Sequence, residues 1–545
     1  MEKPQYFENT MTPLPINVTT LTDSLRELRI AVRKGADLIH QNTSLPDTWG
    51  SNGMFRAFPG IALAFLRLDY QSSVLDDGTA ASPDYRRYAL QRIPSSLPDA
   101  PLLASRLSPV GSSSPMTAVT LRILATLAKQ GWQSNSNVSV ASEDITCLHD
   151  AVQLALKNEP VVPHDGRKMG GDEMLFGRAG LLWTLLNIRA HQFDQKSKHA
   201  LSPALEAIPE LIRVIVDAGR QGSRAYIEKN GDENAHPLMY VWMEGYYGFG
   251  AHWTEYMELV RLQMFLQSSP KLTSIFISAG ILTILLSSKP EELTDYLPLI
   301  GGTITALCKM SVAANGHLPM TLPPYSFGKS SELVQLCHGS PGLLILLGTA
   351  LKCESLVRAH WDPIWDEAIY LGTERVWEEG LLSKGGSLCH GVAGNAWAWL
   401  ILHDCFEYHT SNLNDVRTGH VERNQLSALP NADVSQKLTG DFFLSKALAF
   451  MLQARETKPY NTSPTTSDRD YRMPDEPYSL FEGLAGNLCA WADTCAVLQA
   501  RLRRMDLVRE GVSASSLSKD KLFQDALRRQ LGFPALGGNG ATGIY

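Results

Sequence analysis

Two Cys-His dipeptides, Cys337-His338 and Cys389-His390, stand 52 residues apart, and each runs directly into a glycine. Thiolates and imidazoles are the ligand types that bind zinc most readily. If the two dipeptides come from equivalent positions of neighbouring repeats, Cys337, Cys389 and His390 supply two thiolates and one imidazole to a single zinc. Three protein ligands leave the fourth position open, the arrangement of a catalytic site. A buried cysteine is more often a small core residue, the role expected of Cys353 and Cys489. An isolated Cys-His pair would carry little weight; recurrence in one frame, beside glycines, favours the metal.

The elements that must position these residues are repeats. Cys389-His390-Gly391-Val392-Ala393-Gly394-Asn395 opens the apolar run Ala396-Trp397-Ala398-Trp399-Leu400-Ile401-Leu402, and Cys337-His338-Gly339-Ser340-Pro341-Gly342 opens Leu343 to Leu347. Phe481-Glu482-Gly483-Leu484-Ala485-Gly486 and Phe176-Gly177-Arg178-Ala179-Gly180 do the same. Ala57-Phe58-Pro59-Gly60 is a degenerate form, and Gly111-Ser112-Ser113-Ser114 a weaker one. The shared pattern is Gly-x-x-Gly followed by a helix-length apolar segment, with glycines that let helix starts approach closely. Ser278-Ala279-Gly280 and the apolar run after it fit the second half of one more unit, which makes seven. Near-uniform hydrophobicity predicts helices buried on most sides. Amphipathic stretches between them, such as Pro363 to Trp377, predict a second, outer set. Strand-like alternation is scarce. The expected fold is all-α, a ring of inner and outer helices in a single domain over residues 1–545, with polar loops at 408–440, 72–83 and 511–521.

Composition narrows the partners. Lys and Arg total 49 against 56 Asp and Glu, a net charge of -7, without the basic excess of a nucleic-acid binder. Eight cysteines among 545 residues are sparse and not in a secreted pattern, so free thiols in a reducing, cytoplasmic setting are expected. Met1-Glu2-Lys3-Pro4 carries no apolar run, Glu2 excludes N-myristoylation, and the apolar stretches are too short to span a bilayer. Membrane contact is expected to be peripheral at most, at the plasma membrane if anywhere.

These motifs resemble the lanthionine synthetase C-like family, the family of nisin cyclase and its eukaryotic relatives. The matching pieces are Glu332-Leu333-Val334-Gln335-Leu336-Cys337-His338-Gly339-Ser340-Pro341-Gly342, Lys384-Gly385-Gly386-Ser387-Leu388-Cys389-His390-Gly391, and Arg472-Met473-Pro474-Asp475-Glu476-Pro477-Tyr478-Ser479-Leu480-Phe481-Glu482-Gly483. The match is weak before residue 120, strong after residue 330, and favours the eukaryotic branch. The resemblance implies a double-layered α/α toroid of seven inner and seven outer helices, with zinc on Cys337, Cys389 and His390. It implies glutathione as co-substrate, its thiol at the fourth zinc position and its carboxylates gripped by Lys384 and Arg472. The implied reaction adds that thiol to dehydroalanine or dehydrobutyrine residues in peptides or proteins.

The family's catalytic histidine opens the fourth repeat. Here Tyr240-Val241-Trp242-Met243-Glu244-Gly245-Tyr246-Tyr247-Gly248-Phe249-Gly250-Ala251-His252 leads into that position, but Trp253 stands where a glycine is expected, and the match resumes at Ser278. Residues 253–277 read as an insertion, and His252 as the acid/base candidate. Glu173 occupies a second acid/base position, with Asp172 beside it as a substitute; an ordinary first-turn helix acid is the plain alternative. Two other functions remain open. A glutathione- and zinc-binding signalling or scaffold protein without turnover would keep the metal and tolerate the broken fourth repeat. A carbohydrate-active toroid would need two facing carboxylates, for which Glu173 and Glu482 are the repeat-start acids.

Overall fold

Each apolar run that follows a repeat start is a helix in the computed structural model. The structure describes residues 4–50, 53–78, 82–111, 114–132, 138–164, 166–242, 245–246, 276–319, 333–462, 469–512 and 514–536. The buried helices are α2 (Phe58–Tyr70), α4 (Pro115–Lys129), α6 (Arg178–Arg189), α8 (Phe276–Leu286), α10 (Ser340–Lys352), α12 (Val392–Tyr408) and α14 (Leu484–Arg509). Their first turns are buried on every face among the described side chains, as in α10, where Leu343 to Gly348 is an unbroken buried run. Each such Leu or Ile contributes about 1.5–3 kcal/mol of transfer free energy.

Between them lie α1 (Val18–Asn42), α3 (Tyr85–Leu90), α5 (Ser142–Lys157), α7 (Ile208–Asn230), α9 (Leu297–Ala313), α11 (Pro363–Glu379) and α13 (Gly440–Gln453). Several of these start with a side-chain cap. Asn17 caps α1 by accepting the Thr20 N–H, Asp362 caps α11 through Ile364, and Thr439 caps α13 through Phe442. The glycines that precede α6, α10, α12 and α14 provide no such side chain.

The buried helices touch in sequence. α2 packs on α4, α4 on α6, α6 on α8, α8 on α10, α10 on α12, α12 on α14, and α14 returns to α2. The second set covers them: α1 lies on α14, α3 on α2, α5 on α4, α7 on α6, α11 on α10 and α13 on α12. The chain is thus mostly helical, with helices in contact around a closed cycle.

Several expectations are corrected. The polar stretch 408–440 is largely helical, as Thr410–Arg423 and Ala432–Lys437. Its apolar Leu413 and Val416 are buried, and Arg417 and Ser435 both donate to the Asp366 carboxylate on α11, at 2.7 Å each. Stretches 72–83 and 511–521 open on short helical turns, Ser72–Leu75 and Ala514–Lys519. Two antiparallel hairpins, β1 (Val161–His164) with β2 (Arg167–Gly170) and β3 (Val241–Trp242) with β4 (Gly245–Tyr246), were not foreseen. Pro290–Ala313 is long and apolar enough to cross a bilayer by length and composition, which the reading of apolar stretches missed. In the fold that hydrophobicity is used for packing, with Leu297, Ile300, Ile304 and Leu307 buried. Of the expected insertion, residues 253–275 lie outside the described residues, while Phe276 and Ile277 open α8.

Close approach at the helix starts explains the glycines. A Cβ on Gly394 would lie 1.8 Å from the Leu388 carbonyl oxygen, six residues back, and one on Gly486 would lie 2.1 Å from that of Leu480, also six back. Gly394→Ala is therefore expected to cost about 3 kcal/mol or more, the upper range for overpacking, read as a drop in urea midpoint.

His403 on α12 supplies a pH test. It is fully buried against the Gly440 carbonyl, 3.0 Å from Nδ1, and burial lowers its pKa from 6.5 to about 4. Below pH 6.5 the unfolded chain takes up a proton that the folded chain refuses until about pH 4, so this residue costs stability as pH falls. Between those limits the wild type is expected to lose up to about 1.4 kcal/mol per pH unit more than His403→Gln, measured by urea titration at stepped pH.

Candidate metal centre

Backbone hydrogen bonds tie the helix-start loops of successive repeats together. The Cys337 N–H donates to the Cys389 carbonyl at 3.2 Å, and the Cys389 N–H to the Phe481 carbonyl at 2.8 Å. The Phe481 N–H donates to Phe55 at 3.2 Å, the Phe55 N–H to Val110 at 2.9 Å, and the Gly111 N–H to Leu175 at 2.7 Å. Cys337, Cys389, Phe481 and Phe55 each sit two residues before the residue preceding their helix, so the belt joins like positions. It also sets the starts of these helices at one end of the cycle, where their amide ends favour negative charge.

That belt brings the two Cys-His pairs together. The sulfurs of Cys337 and Cys389 and a ring nitrogen of His390 all lie within 4.8 Å of one another, and all three residues are buried. Tetrahedral zinc with bonds of about 2.3 Å sets two sulfurs about 3.8 Å apart, so the cluster needs little contraction to take the ion. Two sulfurs and one nitrogen are a donor set suited to zinc. Without a cation, the hydrogen bond with the Cys337 thiol and burial push the Cys389 thiol well above its ordinary value. The Lys384 ammonium pulls the other way.

The two expected carboxylate-gripping residues are neighbours. The Arg472 N–H donates to the Ser383 carbonyl at 2.8 Å, which lays the 471–473 stretch beside Lys384. An N-terminal arm borders the same stretch, with Ser383 donating to Gln5 at 3.0 Å and Phe7 to Leu381 at 2.9 Å. The Phe7 ring meets Tyr471 edge-on at 5.2 Å. Sequence reasoning gave this arm no role, because residues 4–9 carry no motif. It also passed over His338, which burial and the Lys384 charge lower to about 4 and so keep neutral.

The acid/base candidates stand differently. Glu173 is buried in the loop before α6, where its carboxylate accepts the N–H of Leu175 at 2.7 Å and that of Phe176. Burial pushes its pKa up to about 8, although those backbone donors pull it down. Asp172 is clamped by Arg178 at 2.7 and 2.9 Å. Both carboxylates thus bind their own helix start. Glu482 pairs with Arg56 at 2.8 Å, each one residue before the residue preceding its helix. That pair joins like positions of the first and last repeats, a signal available in the aligned repeats. The two acids of the carbohydrate reading are therefore already engaged. His252 lies outside the described residues.

A family model described as lanthionine synthetase C-like protein matches residues 278–420, a span that holds Cys337, Lys384, Cys389 and His390. Among curated proteins, glutathione S-transferase LANCL1 of Danio rerio is 26% identical over 363 residues, covering 66% of this chain and 66% of that protein. LanC-like protein GCL1 of Arabidopsis thaliana is 26% identical over 355 residues, covering 64% of this chain and 61% of its own length. The chain spans just under two thirds of the length of these relatives.

The cluster makes a direct prediction. The purified chain should bind one zinc, and its cobalt form should show thiolate-to-metal absorption. Cys337→Ala or Cys389→Ala should abolish stoichiometric binding. His390→Ala should keep the absorption while weakening binding by at least about tenfold, the least that losing even a supporting partner costs.

Proposed function

We propose that this chain, a member of the lanthionine synthetase C-like family, adds the thiol of glutathione to dehydroalanine and dehydrobutyrine residues in peptides or proteins. The observation that carries this reading is the buried cluster of Cys337, Cys389 and His390 beside the stretch bearing Lys384 and Arg472. The name of the Danio rerio relative supports the glutathione half of it. We further infer that the closed cycle of seven helices is the inner ring of a double-layered α/α toroid, with α1 and its counterparts as the outer ring. Eight free cysteines support a cytoplasmic location, with membrane contact peripheral at most.

Cys337, Cys389 and His390 would hold a zinc ion, which when bound lowers the pKa of a thiol placed against it. Lys384 and Arg472 grip the two carboxylates of glutathione and set its sulfur toward the buried cluster. The sulfur forms a bond to the β-carbon of the dehydroamino acid, and the electron pair of the double bond moves onto the adjoining carbonyl as an enolate. The proton lost from the thiol is balanced by one delivered to the α-carbon, the task we assign to His252. Glu173 acts through structure, holding the start of α6, rather than by proton transfer.

A second reading is a glutathione- and zinc-binding protein without turnover, favoured by Trp253 in place of the glycine that should follow His252. One experiment separates the two. The zinc-loaded chain is incubated with glutathione and a dehydroalanine peptide, and the peptide mass is read. A glutathione adduct that disappears with Cys389→Ala is expected. No adduct above background, with zinc bound, would leave the binding protein.

The cations have their own signature. Lys384→Ala and Arg472→Ala are each expected to raise KM for glutathione about tenfold, the loss of one charge-assisted contact, with kcat changed far less.

A further inference from the structure

Residues 530–536 are not helical, yet they are buried: Gln530, Leu531, Phe533, Ala535 and Leu536 are all nearly inaccessible. Polar groups far along the inner helices fix the entry of this segment. The Asp493 carboxylate of α14 accepts the N–H of Leu531 at 2.9 Å and of Gly532 at 2.7 Å. Arg67 of α2 donates to the Gly532 carbonyl, and Gln71, just past α2, donates to that of Arg529 at 2.7 Å. The Gln530 side chain lies near Asp404, in the last turns of α12, where it helps hold the carboxyl down.

Three residues later the chain is elsewhere. The Phe533 ring lies 5.1 Å from Trp397, near the start of α12, and 6.2 Å from Phe481, in the loop that opens α14. Asp404 and Trp397 are seven residues apart, a rise of about 10 Å in a helix. Three extended residues reach about 10 Å. The segment therefore runs back along α12, from the level of Asp404 toward the end that carries the cysteines.

Phe481 is the residue it meets there. Its carbonyl accepts the N–H of Cys389 at 2.8 Å and of Leu388 at 3.1 Å, and its ring stacks on Phe55 at 4.8 Å. We infer that Phe533 is a positioning residue for the metal centre: it supports Phe481 from below and so fixes the carbonyl that orients Cys389. The inference rests on the reading that Cys337, Cys389 and His390 bind a metal.

The test uses the full chain, cobalt as the probe, chelator competition for affinity and thiolate-to-cobalt absorption for geometry. Phe533→Ala should weaken binding about tenfold, the lower range for losing a supporting partner, and shift the absorption. Phe533→Leu, which keeps most of the volume, should recover most of the affinity. Phe443→Ala, an equally buried ring on α13, should lower Tm yet leave affinity and absorption unchanged. Wild-type binding and spectrum in Phe533→Ala, or equal weakening in Phe443→Ala, would overturn the inference. If Phe533→Ala does not fold, Phe533→Leu decides, since a small loss with a shifted band is expected and no change overturns. Absence of cobalt binding by the wild type defeats the metal reading itself, an outcome distinct from these.

Discussion

The hydrogen bond from the Cys337 N–H to the Cys389 carbonyl is the constraint on which the site depends. Two thiols 52 residues apart meet because the loops that carry them are paired through backbone, and that pairing demands loops thin enough to lie against one another. Glycine supplies the thinness. At Gly394 and Gly486 alike, a Cβ would collide with the carbonyl six residues back, so each loop folds down onto the first turn of its own helix. A folded-down loop exposes its edge to the next loop. Helix, loop and belt are in this sense a single requirement met several times around the cycle.

This explains how much was legible in the sequence. The frame Cys-His-Gly-x-x-Gly fixes both the start of a buried helix and the position of a candidate ligand, so the helix starts and the grouping of Cys337, Cys389 and His390 could be read from the same residues. The apolar runs after each start announced buried helices without ambiguity, since there was no polar face to weigh. What stayed hidden depended on contacts between distant segments of plain composition. Thr410–Arg423 is polar enough to pass for a loop, and is held in the fold by the grip of Arg417 on Asp366. The N-terminal arm pairs with Leu381 and Ser383 through backbone atoms, which any sequence possesses. Glu173 was legible as a position but not as a role, because the two N–H groups that occupy its carboxylate are supplied by the local turn.

The starts of the buried helices gather acids and thiols, partly paired with cations such as Arg178 and Arg56, while several of the other ends carry a cation. At the starts lie Cys337, Cys389, Glu173, Asp172 and Glu482, groups that carry or can acquire negative charge. At the other ends lie Arg67 in the last turn of α2, Lys129 of α4, Arg189 of α6 and Lys352 of α10. Parallel helices sum their dipoles, so cations suit the carbonyl end and anions the amide end.

The same polarity gives the buried tail its purpose. Asp404 lies in the last turns of α12 and Asp493 within α14, and burial raises both to about 6 while Lys352 and Arg67 hold them down. Carboxylates so placed need donors, and the backbone N–H groups of Leu531 and Gly532 provide them at Asp493, while the Gln530 side chain lies near Asp404. The tail is thus drawn in by unsatisfied charge at one end and delivers an aromatic ring to the other. Packed against α2, α12 and α14, this segment of the same chain gives the loop that carries Cys389 a support. Rigidity at Cys389 is then a property of the whole ring, carried from Asp493 through Phe533 and Phe481 to the sulfur.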